Sequence, residues 1–339
     1  MLHLQAAALS PAAEEVTCLA GVQAPFAEAS QKTLLRLAGL RVSESTVERT
    51  TEAAGQRLAD ARQAGQTLGP PTPWAWHKDA DGQTVAYVSV DATGVGQQGP
   101  GGVEADGRMV NVAVLYNPVP EDRAQWANPT AARCPAWQAR YLAGLEDRVA
   151  LGGELRRQGA QVGMDHAQRW VGLSDGGNGL EDFLRSTFPR VEAVILDFYH
   201  AAEHLGNLAK AWHPGDAAAA TALQEQWCHQ LKHVGGVALL QTLRELPLTG
   251  RSRAARQVYA EEVGYFENQV HRMDYPQYRA KGWQIGSGPV ESACKRVVGQ
   301  RLKGAGMRWG ADGANAVSHL RALFLSETGQ WEAFWNYEN

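Results

Sequence analysis

Three apolar, β-branched runs in this chain each end on an aspartate, and that pattern constrains the fold more than any other feature. Tyr87, Val88, Ser89 and Val90 lead into Asp91; Trp170, Val171, Gly172, Leu173 and Ser174 lead into Asp175; Val194, Ile195 and Leu196 lead into Asp197. A carboxylate at the end of a buried strand must be solvated, paired or bound to a cation. Any one of them can cap the helix that follows. Three in the same local context suggest more, because the strand ends on one side of an α/β sheet are brought together by the fold itself.

The elements between these runs support such a sheet. Thr84–Val90 and Met109–Tyr116 read as strands joined by a glycine-rich, hairpin-like connection. Gln168–Leu173 and Val191–Leu196 read as further strands, with a short helix over Leu180–Phe188 between them, and Trp137 to about Gln158 reads as a longer helix. Strands alternating with helices predict a mixed α/β sheet with helices on its faces. Residues 1 to about 70 read as helical, with periodic segments over Pro25–Gly39 and Ser45–Arg62 that are compatible with a helix-turn-helix or a plain helical hairpin. Ser45 to Glu48 has the pattern of a capping box. Gly69–Pro73 breaks the helical pattern as a linker. From Ala201 to about Tyr278 the strand signal vanishes, which predicts an all-α insertion, and Pro289–Leu325 is helical again, with a loop at its glycines. The predicted organisation is a helical N-terminal segment (1–75), the first part of the core (76–204), the insertion (205–280) and a C-terminal helical part of the core (281–339).

The formal net charge of −4 over 339 residues argues against a protein that coats nucleic acid non-specifically. Charge is nevertheless uneven: between Arg272 and Arg321 nine Lys and Arg residues face three Asp and Glu. Lys295, Arg296, Arg301, Lys303 and Arg308 in this stretch are candidates for contacts with DNA phosphates, though a solvated basic helix face has the same composition. Cys18, Cys134, Cys228 and Cys294 are widely spaced, which points to a reduced, cytoplasmic protein without a structural zinc site. No apolar run is long enough to span a bilayer. Hard oxygen donors at strand ends favour Mg²⁺ or Mn²⁺, and two such ions suit phosphoryl transfer on a phosphodiester. Glu291 follows Pro289 in a first helical turn, a position that favours glutamate with or without a metal. Trp283 and Trp309 flank it as candidates for base stacking, although such residues are more often core anchors.

Taken in order, Val-Asp-Ala-Thr-Gly around Asp91, Ser-Asp-Gly around Asp175, Asp197-Phe-Tyr-His200 and Gly-Ser-Gly-Pro-Val-Glu ending at Glu291 resemble the DDE-type transposases of bacterial insertion sequences, the ISKra4 group above all. The resemblance runs from about Leu9 to the C-terminus. It implies an RNase-H-like core related to Mutator and hAT transposases, in which the second catalytic Asp follows the fourth strand and an Asp-x-x-His motif follows the fifth. Carried over by position, Asp91, Asp175 and Glu291 become the catalytic, metal-binding triad and Asp197 and His200 the accessory motif. Asp197 remains the rival of Asp175 for the second metal position. The resemblance further implies two Mg²⁺ or Mn²⁺ ions, transposon-end and target DNA as partners, and a homodimer or higher oligomer. Longer relatives carry a further N-terminal segment, so a truncated form that only binds DNA is one alternative reading, and an RNase-H-like nuclease without strand transfer is another.

Overall fold

The computed structural model describes residues 9–118, 138–177, 179–327 and 329–336. Helix α1 (Pro11–Gln23) is followed by the single turn α2 (Phe26–Glu28), which continues as a π-helical stretch, Ala29–Ala38, and then by α3 (Glu44–Gln63). The middle of the chain runs β1 (Val85–Gln98), β2 (Glu104–Asn117), β3 (Gln138–Gly144), α4 (Arg148–Gln161), β4 (Arg169–Ser174), α5 (Leu180–Thr187) and β5 (Val191–Leu196). Five helices come next: α6 (Phe198–Trp212), α7 (Ala217–His233), α8 (Gly236–Arg244), α9 (Arg253–Gln269) and α10 (Tyr275–Ala280). Beyond them lie α11 (Gly288–Ala293), a π-helical stretch Cys294–Gly299, α12 (Gln300–Leu302), α13 (Ala311–Leu325) and α14 (Gln330–Asn336).

The architecture is α/β, with an open, mixed five-stranded sheet in the order β3-β2-β1-β4-β5. Strand β1 pairs parallel with β4 from Val85↔Arg169 to Ser89↔Leu173, β4 pairs parallel with β5, and β2 pairs antiparallel with β3. The strands read from the sequence at 168–173 and 191–196 are β4 and β5, and the predicted all-α stretch is α6 to α10.

Three local readings are corrected. The helix expected from Trp137 to about Gln158 begins as strand β3, and α4 starts only at Arg148. Six of the seven residues of β3 are buried, so both of its faces are covered and the period-2 signal that marks a strand is erased. Trp137 itself, like Cys134, lies outside the described residues. Asp91 does not end a strand: β1 runs on for seven residues past it, because the glycine-rich segment continues in extended form rather than turning at once. Helix α3 starts earlier than the Ser45 pattern suggests, with Ser43 as its cap, accepting from the Thr46 amide at 3.2 Å.

The chain divides into two compact units, each with its own core. The first comprises residues up to Ala75, Asp91–His166 and Pro289 onward. Its centre is the packing of α3 against α13, where Ala54, Leu58, Leu320 and Leu323 join Cys18, Val22, Trp331 and Phe334 in one apolar cluster. The helices approach so closely at Gly55 that a Cβ there would stand 2.1 Å from the Ala316 carbonyl oxygen. Beside this contact His319 is buried, with Nδ1 facing Arg62 at 3.2 Å and Nε2 hydrogen-bonded to Glu146. Burial pushes the Glu146 carboxyl up, but the His319 and Asn315 hydrogen bonds and the His319 charge outweigh it and hold it at about 2. The second unit comprises Trp76–Val90 and Ala167–Gly288, and therefore contains β4, β5 and the insertion.

Two outcomes follow for the first unit. Gly55→Ala destabilises the protein by about 3 kcal/mol in urea unfolding, since the intruding atom is met by backbone rather than a movable side chain. Because the folded-state value of Glu146 lies below its ordinary 4.5, its stabilising contribution is complete above about pH 4.5 and is lost as pH falls towards 2. Glu146→Gln is accordingly less stable than the parent at neutral pH, and the gap closes across that acid range when the two are compared by thermal melting.

Candidate functional site

In the second unit, Ser174 of β4 is in register with Leu196 of β5, so Asp175 and Asp197 leave adjacent parallel strands side by side. The two carboxylates then diverge. Asp197 is buried, at 2% exposure, and both of its oxygens are engaged: Oδ1 accepts from the Tyr199 amide at 2.9 Å as the cap of α6, and Oδ2 accepts from the Ser287 hydroxyl at 2.7 Å. Asp175 is half-buried, and its Oδ1 accepts from the Gly177 amide at 2.8 Å in the turn before α5. Ser287 belongs to the Gly-Ser-Gly-Pro-Val-Glu motif, so within the second unit that motif touches the Asp-x-x-His motif directly.

These strand ends are fixed by Arg272, one of the largest fully buried side chains. Its guanidinium donates to the carbonyl oxygens of Ser174, Asp175, Val194 and Ile195 at 3.1–3.4 Å and to the Ser174 hydroxyl at 2.7 Å. Tyr275 adds a hydrogen bond to the Leu196 carbonyl at 2.9 Å. Both residues come from the end of the insertion, which therefore holds the acidic strand ends in place. Gly176 lies against the Tyr265 ring, where a Cβ would approach to 2.4 Å.

His200, on the first turn of α6, has company that sequence reading missed. His204 sits one helical turn further on, its Nε2 3.4 Å from that of His200, and its Nδ1 lies 2.5 Å from Glu262 of α9. Tyr265 stacks on the His204 ring with centroids 3.6 Å apart. Burial pushes the Tyr265 hydroxyl well up, opposed by Arg272 and reinforced by Asp175, Asp197 and Glu262. The signal for this group was the His-x-x-x-His spacing on a helix; Glu262, 58 residues away, carried none.

In the first unit, Asp91 on β1 accepts from the Ala92 amide at 2.6 Å through Oδ1, and its Oδ2 lies 3.4 Å from the Cys294 sulfur. Burial pushes the Cys294 thiol well up, and the Asp91 and then the Glu291 carboxylates add to the effect. Asp91 and Glu291 are thus neighbours of one thiol, Glu291 exposed and Asp91 half-buried. Lys303 donates to Thr93, two residues along β1 from Asp91.

The basic candidates separate by exposure. Lys295, Arg296, Lys303 and Arg308 are exposed, Arg308 pairing with Glu104 at 2.9 Å. Arg301 is not available to DNA in this fold: it is 1% exposed, donates to the Gly21 carbonyl at 2.7 Å and lies over the rings of Phe26 and Trp309. Burial, then the neighbouring Arg321, lower it to about 10. Trp283 and Trp309 are likewise interior, donating to Asp79 and to the Leu302 carbonyl, so they are anchors rather than stacking platforms.

Among the described residues, no three or more His, Cys, Asp or Glu side chains form a group able to hold a metal ion. Asp91 and Glu291 belong to the first unit, Asp175 and Asp197 to the second. No known protein-family model matches the chain, and no curated protein matches it. Among the described residues no helix is long and apolar enough to cross a membrane.

Replacing Arg272 with Met removes the guanidinium that four carbonyls share, of which Ser174 is also given the Asp197 amide. Urea unfolding is expected to show a loss of about 3 kcal/mol or more, whereas Arg296→Met, at an exposed position, changes stability by less than about 0.5 kcal/mol.

Proposed function

We propose that this chain is a DDE-type DNA transposase of the ISKra4-like kind, built on an RNase-H-like core and acting through Asp91, Asp175 and Glu291. The observation that carries the reading is the position of the acidic residues on the strands. Asp175 follows the fourth strand and Asp197-x-x-His200 follows the fifth, as the resemblance requires, and an all-α insertion separates both from the helix that bears Glu291. The contest between the two aspartates is weighed by their environments. Asp197 is consumed as a helix cap and as the acceptor of Ser287, which supports a positioning role for it and favours Asp175 as the acidic group presented to substrate.

Asp91, Asp175 and Glu291 offer the hard oxygen donors that Mg²⁺ or Mn²⁺ takes. Two such ions, when bound, would supply activation of the attacking hydroxyl and stabilisation of the leaving oxygen. Exposed Lys295, Arg296, Lys303 and Arg308 are suited to phosphate contacts that fix the register of the DNA without reading its bases. Joining two transposon ends calls for at least a homodimer.

The test is a strand-cleavage and strand-transfer assay on DNA bearing the insertion-sequence ends, with Mg²⁺ or Mn²⁺ supplied and then chelated. Asp91→Asn, Asp175→Asn and Glu291→Gln each lower cleavage by about 10³-fold or more while DNA binding persists. Asp197→Asn mainly lowers thermal stability. Full cleavage by Asp175→Asn, or cleavage indifferent to chelation, would sink the assignment, and cleavage without joining would leave an RNase-H-like nuclease.

A further inference from the structure

The group around His204 is built like a relay, all of it within the second unit. Glu262 is buried, at 8% exposure, on α9, a helix that packs along α6. A carboxylate this close to an imidazole nitrogen requires a proton between them, so His204 carries its proton on Nδ1, donated to Glu262. In the neutral ring that leaves Nε2 of His204 as a bare acceptor. The group facing it at 3.4 Å is Nε2 of His200, which must therefore be the donor. His200 is left with an unprotonated Nδ1, 3.7 Å from the carboxylate of Glu203, at the end of the chain of contacts that reaches solvent. Its side chain is 34% exposed, against 24% for His204 and 11% for Glu262, so accessibility falls steadily inward along the series.

The surroundings keep this order. Tyr265 of α9 stacks flat on His204 and meets His200 edge-on, with centroids 3.6 and 6.1 Å away, which leaves both imidazoles little room to rotate. Tyr265 also presses on Gly176, the residue after Asp175, and feels the charge of both Asp175 and Asp197. The charged and titratable groups beside the pair are Glu203 of α6 and Glu262 and Tyr265 of α9; Tyr265 in turn lies in the field of Arg272, Asp175 and Asp197, and Lys232 of α7 is placed over the Phe198 ring. A carboxylate thus lies at each end of the pair, Glu203 beside His200 and Glu262 beside His204.

We infer that Glu262, His204 and His200 form a proton relay in which His200 takes the proton from the hydroxyl that attacks the phosphodiester, with His204 and Glu262 as its positioning residues. The substrate in this inference rests on the transposase reading; the relay itself does not. In the step, the O–H bond of the attacking water or 3′ hydroxyl breaks as its oxygen forms the new P–O bond, and the proton goes to Nδ1 of His200. The P–O3′ bond breaks, and the same proton is returned to the departing oxygen. Between the two transfers the positive charge is shared through the Nε2 contact with His204 and balanced by Glu203 and Glu262.

The experiment uses the full chain with ¹⁵N-labelled histidine, comparing the parent with His200→Asn, His204→Asn and Glu262→Gln. NMR of the ring nitrogens is expected to show His204 protonated on Nδ1 and bare on Nε2. His200 and His204 should titrate as a coupled pair, with the coupling lost in Glu262→Gln. In the cleavage assay, His200→Asn lowers the rate by about 10²- to 10⁴-fold and flattens the dependence on pH. Glu262→Gln moves the pH profile and lowers kcat with KM unchanged. Independent titration of the two imidazoles overturns the relay, and a parental pH profile in His200→Asn overturns its catalytic role. If the parent cleaves no DNA under any condition, the transposase reading and the catalytic role of His200 fall together, and the relay stands or falls on the titration alone.

Discussion

The acidic end of the second unit depends on one buried cation. Two adjacent parallel strands finish here, and their last carbonyl groups call for donors beyond the backbone contact from the Asp197 amide to Ser174. Arg272 answers this with a planar fork of donors that reaches the carbonyls of Ser174, Asp175, Val194 and Ile195 together. Burial works against its charge, and Glu181, 3.8 Å away, works for it. A lysine, with a single ammonium, has no geometry for that set. The position of Asp175 and Asp197 is thus inherited from a residue far downstream in the chain, which ties the insertion to the sheet chemically as well as by packing.

Similar side chains therefore do different work according to burial. Asp197 and Arg301 carry formal charges but are enclosed, held by hydrogen bonds and, for Arg301, by aromatic faces, and they serve the fold. Asp175, Glu291, Lys295 and Lys303 keep contact with solvent, and any chemistry on an outside substrate falls to groups of this kind. The pairing of Asp91 with the Cys294 thiol lies between these cases, since it holds a carboxylate oxygen close to an uncharged group without removing it from solvent.

How much of this was legible in the sequence varied with the range of the interaction. β4 and β5 were readable because short β-branched runs bounded by turn residues have few alternatives, and the insertion because its alanine- and leucine-rich composition has no strand signal. β3 was misread because burial on both faces removes alternation, and the length of β1 because glycines suggest a turn where the chain in fact stays extended. At the site, the motif residues and their order were visible, but the occupation of Asp197 by Ser287, the burial of Arg301 by Phe26 and Trp309, and the partnership of His204 with Glu262 were not. Asp197 and Ser287, Arg301 and Phe26, and His204 and Glu262 are each separated by tens to hundreds of positions, and no local pattern says that they meet.

The close crossing of α3 and α13 at Gly55 and Ala316 also sets an order of events during synthesis. The second unit has all of its residues once Gly288 has been made, whereas the core of the first waits for a helix that ends at Leu325. Contacts separated by some 260 positions form slowly and only after the intervening chain exists. Until then, the apolar face that α3 turns to α13 lacks that partner. The half of the molecule that begins first is the half that finishes last.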